Sequence, residues 1–141
     1  MSAADFLDSN VLIYLFDRSD ARKRGIAEGL FRSAIEKGTS VISHQVVQEV
    51  LNVVTRKIKP ALAADDTLAV LEHVLLPLWH VQPSAAMFAK ALELQQRLKL
   101  SFYDSLIVAA ALQAKCKRLL SEDLQHGQRI EGLRIENPFK A

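Results

Sequence analysis

The stretch Leu100–Leu112 reads LSFYDSLIVAAAL, and seven apolar residues in a row follow Ser105. A helix built from them is apolar around its whole circumference. It cannot rest on a surface with one wet face, so the fold must cover it on every side. In a chain of 141 residues, that calls for a layered architecture around a substantial core. Half of the residues are hydrophobic, which supplies that core and excludes disorder of the body of the chain. The longest apolar runs fall well short of the ~20 residues a membrane span requires.

The rest of the chain supplies the layers. Asp5 to Asp8 is a short apolar segment ending in an acid, and Asn10 is placed to cap a short helix, VLIYLF. Ala21–Lys37 has helical spacing and stops at Gly38. Thr39–Ser43 is strand-like. His44–Ile58 is helical, with Val46, Val50, Val53 and Val54 on one side and Pro60 at its end. Asp65 or Asp66 starts a helix to about Leu76, and Leu78–Val81 forms a strand between prolines. Pro83 opens a helix to about Leu98. The apolar helix then spans Phe102–Cys116, followed by strands KRLLS, ending near Ser121, and Leu133–Asn137. Short strands alternating with helices predict one α/β domain over residues 1–141. Its sheet of four to five strands is mostly parallel, and its ligands sit beyond the carboxyl ends of the strands.

Acids fall at that edge. Asp8 ends the first strand, Asp123 follows the fourth, and Asp104 lies in the first turn of the apolar helix. Glu49 lies about 40° from Val53 and about 60° from Val46 on a helical wheel, so it borders the apolar stripe. Each has a purely local account as well. Ser101 and Asp104 have capping-box spacing, Asp8 and Asp123 suit turns, and Glu49 suits a wet helix face. Carboxylates gathered together cannot all stay ionised without compensation: some protonate, or a cation sits among them. Oxygen ligands without Cys or His favour Mg²⁺ or Mn²⁺. A pair of such ions is suited to phosphodiester hydrolysis. Net charge is +2, from 18 basic and 16 acidic side chains. Setting four clustered acids aside leaves 12 acids against those 18, a basic body around an acidic pocket.

The ordered set FLDSNVLIY, VVQEVLNV, LSFYDSLIVAAAL, LLSEDLQHG and the terminal NPF resembles a PIN domain, and more narrowly a VapC-type toxin of a toxin–antitoxin pair. The resemblance implies a three-layer α/β/α fold with the acids in a cleft. Asp8 and Asp104 would bind metal and Asp123 would complete the site. Glu49 would orient the attacking water or hold a second ion. Ser121 would bond a carboxylate, and Asn10 matches a polar position where capping is the competing role. The implied activity is Mg²⁺- or Mn²⁺-dependent endonucleolytic cleavage of RNA. The implied partners are the RNA, a small antitoxin covering the cleft and a second copy of the chain in a homodimer. Basic clusters RKR (Arg22–Arg24), RKIK (Arg56–Lys59) and KCKR (Lys115–Arg118) are candidates for the RNA backbone or for solvated helix faces.

Other chemistries lack support. No phosphate loop, nucleophile elbow or zinc-type histidine spacing is present. His126, near Asp123, fits a surface loop. Trp79 fits the core, and Phe102 and Tyr103 fit packing at a helix start better than base stacking. An aspartyl-phosphate enzyme would want a second Asp two residues after Asp8, where Asn10 stands. A PIN-fold module that binds RNA or a partner without cutting is the alternative from another class. The N-terminus MSAADFLDSN has no basic start and no apolar signal core, so a cytoplasmic protein without a membrane segment is expected. The single cysteine, Cys116, cannot form an internal disulfide.

Overall fold

A computed structural model describes residues 3–141. The elements in chain order are β1 (Asp5–Leu7), α1 (Ser9–Ile13), α2 (Ala21–Lys37), β2 (Ser40–Ser43), α3 (His44–Asn52) and α4 (Ala64–Val70). They continue with β3 (Trp79–Val81), α5 (Ala85–Leu98), α6 (Phe102–Gln113), β4 (Arg118–Leu120), β5 (Arg129–Ile130) and β6 (Leu133–Glu136). The strands form a sheet in the order β3-β2-β1-β4-β6-β5. All neighbours pair parallel except β5 and β6. This is the expected α/β fold with a mostly parallel sheet flanked by helices.

The sheet has six strands rather than four to five among the described residues. The added one, β5, has two residues and pairs with β6 through the turn Glu131-Gly132. Both turn residues take positive φ, 51° and 89°. That is the twist of a two-residue hairpin turn. A two-residue strand has no alternation to read, and Glu-Gly is a weak hairpin signal.

Element ends differ in physically simple ways. Asp8, not Asn10, caps α1, its Oδ1 accepting from the Ser9 N–H at 2.7 Å. Ser84 caps α5, and Pro83 lies outside it. Helix α6 stops at Gln113 because Lys115 turns left-handed at φ 58°. Both α3 and α4 widen at their ends into π-helical turns, Val53–Lys57 and Leu71–Leu75. No helix of the described residues is long and apolar enough to cross a membrane.

Ser105 to Ala111 of α6 are buried without interruption, as an all-apolar circumference requires. They pack with Phe6, Leu7, Ile42, Leu119 and Leu120 of the central strands. Cys116 is buried, and burial pushes its thiol up to about 12. Trp79 is only half-buried at the edge strand β3.

Candidate active site

Strand register builds the site. Leu7 pairs with Leu120 across β1 and β4, so the next residues, Asp8 and Ser121, leave the sheet side by side. The Ser121 hydroxyl donates to Asp8 Oδ2 at 2.7 Å. Strand β1 lies between β2 and β4, and the chain runs from it to β2 on one side before returning to β4 on the other. The crevice at that switch point is where parallel α/β sheets hold ligands. Asp8 stands in it.

Asp8 is only 4% exposed. Burial, partly offset by the bonds from Ser121 and the Ser9 N–H, pushes its carboxyl up to about 7; the nearby charges of Glu49 and Asp123 add to the rise. Asp104, half-buried in the first turn of α6, is also raised, chiefly by burial, with Asp123's charge adding to it. The Ser101 hydroxyl pulls the other way. Ser101 accepts from the Asp104 N–H at 3.1 Å, so the serine half of the expected capping box forms, while among the described residues the Asp104 carboxylate does not reach back to the Ser101 N–H. Glu49 is half-buried, as its place beside the valine stripe predicts, and Gln45 Nε2 reaches its Oε2 at 3.4 Å. Asp123 is exposed and accepts from Asn10 Nδ2 at 3.2 Å.

The fold therefore brings Asp8 into electrostatic reach of Glu49 and Asp123, and Asp104 into reach of Asp123, so that Asp123 links Asp8 to Asp104. Among the described residues, none of the four forms an ion pair with Lys, Arg or His. Nor, among those residues, do three Asp, Glu, His or Cys side chains stand at the spacing of a closed ligand set. The donor chemistry suits a hard cation, and Mg²⁺ commonly takes one or two carboxylates and fills its octahedron with water and phosphate oxygens. The donors fit such an ion without forming a complete cage for it.

Asn10 does not cap α1 but bonds across to the segment after β4. Its Oδ1 accepts from the Glu122 N–H at 3.1 Å, while its amide donates to Asp123 and lies 3.5 Å from Ser121 Oγ. Behind it, Tyr14 donates to Glu122, which also pairs with Lys23. Sequence reading missed Tyr14, Lys23, Glu122 and Gln45. The available signal was Tyr14's place one turn after Asn10, on the same side of α1. His126 takes no part: its Nδ1 accepts from the Asn137 N–H at 3.0 Å.

The basic clusters divide. In RKR, Arg22 bonds the Phe139 carbonyl at 2.8 Å, Lys23 pairs with Glu122 and Arg24 pairs with Glu28. In KCKR, Arg118 is bound to Asp5 and Glu136. Arg56, Lys57 and Lys59 are exposed, and no ion pair holds them among the described residues.

The family model of the PIN domain matches residues 6–129. No curated protein sequence matches the chain. Among solved structures, the chain is similar to VapC20 of Mycobacterium tuberculosis, a Sarcin-Ricin loop cleaving toxin. That match has 22% identity and a TM-score of 0.65, over 85% of this chain and 92% of that one. It is similar to a chain of a toxin–antitoxin complex from Klebsiella pneumoniae at 23% identity and TM-score 0.66, over 98% and 100%. It also resembles a chain of DNA-bound VapBC from Salmonella typhimurium at 19% identity and TM-score 0.68, over 96% and 98%. These likenesses support the α/β fold described above. With the family match spanning most of its length, the chain belongs to the PIN domain family.

Proposed function

We propose that this protein is a metal-dependent endoribonuclease, the VapC-type toxin of a toxin–antitoxin pair, with residues 1–141 forming one PIN domain. The observation that carries the reading is the chain of four acids at the sheet's switch point, Glu49 to Asp8 to Asp123 to Asp104, each feeling the next and none paired with a cation among the described residues. A buried Asp8 with its carboxyl raised to about 7 is poorly compensated as an anion. A divalent cation bound beside it would supply the missing charge.

Asp8 and Asp104 would hold the Mg²⁺ or Mn²⁺, Asp123 would complete the set, and Glu49 would orient the attacking water or serve a second ion. Bound there, the ion supplies Lewis-acid stabilisation of the phosphate oxygens and a more acidic water. The chain's own residues hold the geometry. Ser121 and the Ser9 N–H fix both oxygens of Asp8, and Asn10 holds Asp123. Water attacks phosphorus in line, leaving a 5′-phosphate and a 3′-hydroxyl. The exposed Arg56 and Lys57 continue the helix that carries Glu49, Lys59 follows just past its end, and all three would contact the RNA backbone. A small antitoxin covering the cleft is supported by structural likeness to chains of toxin–antitoxin complexes, and a homodimer and a cytoplasmic location complete the proposal.

The second reading, a PIN-fold module that binds RNA or a partner without cleavage, is favoured by the incomplete ligand set. Mn²⁺ titration by calorimetry into wild type and Asp104→Asn, with thermal unfolding and RNA cleavage alongside, separates the two. The nuclease reading expects wild type to bind Mn²⁺ and cut RNA, and the folded variant to do neither. Failure of wild type to bind Mn²⁺ at millimolar levels, with no cleavage, leaves the binding module.

A further inference from the structure

Beside the acid cleft, α3, α5 and α6 enclose a cavity of about 420 Å³. That falls within the ~300–1,000 Å³ range of small-molecule sites. Met87, Phe88, Phe102 and Tyr103 supply its apolar and aromatic lining, and Gln45 and Gln48 bring two amides from α3. No Asp, Glu, Lys or Arg lines it. Tyr103 is 65% exposed and Phe88 43%, apolar surface that the chain itself leaves uncovered.

The cavity and the acids share a wall. Gln45 Nε2 reaches Glu49 Oε2 at 3.4 Å and donates to the Tyr103 carbonyl at 3.2 Å. Tyr103 directly precedes Asp104. A phosphate among the acids therefore has the cavity as its neighbour on the Glu49–Asp104 side. An uncharged, planar, partly polar group suits this lining: aromatic faces stack on it, and amides both donate and accept at its edge. A phosphate would find no Lys or Arg there, only the imidazole of His44 at one wall, and a cationic side chain would find no carboxylate.

From the shared wall and the mostly apolar, aromatic lining, we propose that this cavity is a nucleobase subsite, seating one base of an RNA strand whose phosphate lies in the acid cleft. The inference rests on the nuclease reading for the identity of the strand, and it names what that reading leaves open. The base next to the scissile bond is selected by the lining of α3, α5 and α6, not by the acids. An apolar peptide of another protein, or a second copy of this chain, would use the exposed Phe88 and Tyr103 without needing the two glutamines or the neighbouring acids.

Met87 is one of two methionines and lines the cavity, so a ¹³C-methyl label on methionine reports from inside it. The four ribonucleoside 5′-monophosphates, with ribose 5-phosphate as the control lacking a base, are titrated into the full chain with metal chelated. The expected result is that at least one nucleotide shifts the Met87 methyl signal, that ribose 5-phosphate does not, and that Tyr103→Ala weakens binding about tenfold. In cleavage of a random-sequence RNA pool, Phe88→Ala should then relax the preference for one base beside the cut. An unmoved Met87 signal at high millimolar nucleotide overturns the proposal. So does a Met87 signal that follows protein concentration and is reset by Phe88→Ala, which would make this the face between two copies. So does nucleotide binding at Met87 that is unchanged in Tyr103→Ala and in Phe88→Ala alike. Loss of the nuclease reading is seen separately, as no cleavage with Mg²⁺ or Mn²⁺, because nucleotide binding at Met87 requires no cleavage.

Discussion

The two ends of strand β1 carry the same side chain in opposite circumstances. At the amino end, Asp5 receives two bonds from Arg118, Nε to Oδ1 and Nη2 to Oδ2, each 2.9 Å. Arg118 also reaches Glu136 on β6 at 2.6 Å, so one guanidinium ties three adjacent strands together. At the carboxyl end, Asp8 is more deeply buried, has two hydrogen-bond donors and no cation, and faces the charges of Glu49 and Asp123. Three residues apart, one acid is satisfied by the fold and the other is left in debt to it. Asp5 is held by a fixed cation, whereas Asp8 is held by neutral donors alone.

The largest expected effect breaks that contrast at Asp8. A carboxyl whose pKa is higher in the folded than in the unfolded chain binds more protons when folded. Between its ordinary value of 3.8 and about 7, stability of the metal-free protein therefore falls as pH rises, and it levels off above 7. The gap corresponds to roughly 4 kcal/mol at most. Asp8→Asn should remove this penalty. Denaturant unfolding in EDTA should show the variant more stable than wild type at pH 8 and nearly equal to it at pH 4. The same variant should cut RNA on the order of 10³-fold more slowly. Equal stability of the two proteins at both pH values would mean that Asp8 is not held as a strained anion.

At the other end, Arg118→Ala should do the reverse. It strands Asp5 and Glu136 at the junction of three strands, so stability should fall by about 1–3 kcal/mol. RNA cleavage measured well below the melting temperature should stay within about twofold, because the acids lie at the opposite edge. A large loss of activity in a folded Arg118→Ala protein would show that the two ends are not independent. Smaller again is Asn10→Ala. Loss of the bonds to Asp123 and to the Glu122 N–H should slow cleavage about 10–100-fold, as is usual for groups that orient ligands. Stability should change by about 1 kcal/mol.

How legible the site was depends on which contacts place each residue. Asp8, Asp104 and Asp123 could be located because strand ends and a helix start are local features, readable from apolar runs and caps. Glu49 could be set at the edge of the valine stripe because a helical wheel is local too. Asn10 could not be assigned from its surroundings: Asp8 and Asn10 both suit a helix start, and the choice follows from the Leu7–Leu120 register, 113 positions apart in the chain. The same is true of Tyr14 and Lys23, whose common partner Glu122 sits beyond the far end of α6. The hairpin β5–β6 was hidden for another reason, since two residues carry no period. In the KCKR cluster the charge was visible and its destination was not: Arg118 is spent on Asp5 and Glu136.

Tyr14 tests the finest part of the comparison, whether the neutral scaffold behind the acids matters beyond stability. Its hydroxyl donates to Glu122 and accepts from Lys23 Nζ at 3.1 Å, and its ring meets Phe139 edge-on with centroids 4.8 Å apart. Tyr14→Phe keeps the ring contact and deletes only the hydroxyl. Glu122 retains Lys23, so stability should fall by about 1 kcal/mol or less. Glu122 is the residue between Ser121, which holds Asp8, and Asp123. If the hydroxyl fixes that loop, Mn²⁺ affinity should drop about threefold to tenfold in Tyr14→Phe while the melting temperature barely moves. If affinity and cleavage are both unchanged, Lys23 and Asn10 suffice to hold the loop, and Tyr14 belongs with Arg118 among the residues that serve the fold alone.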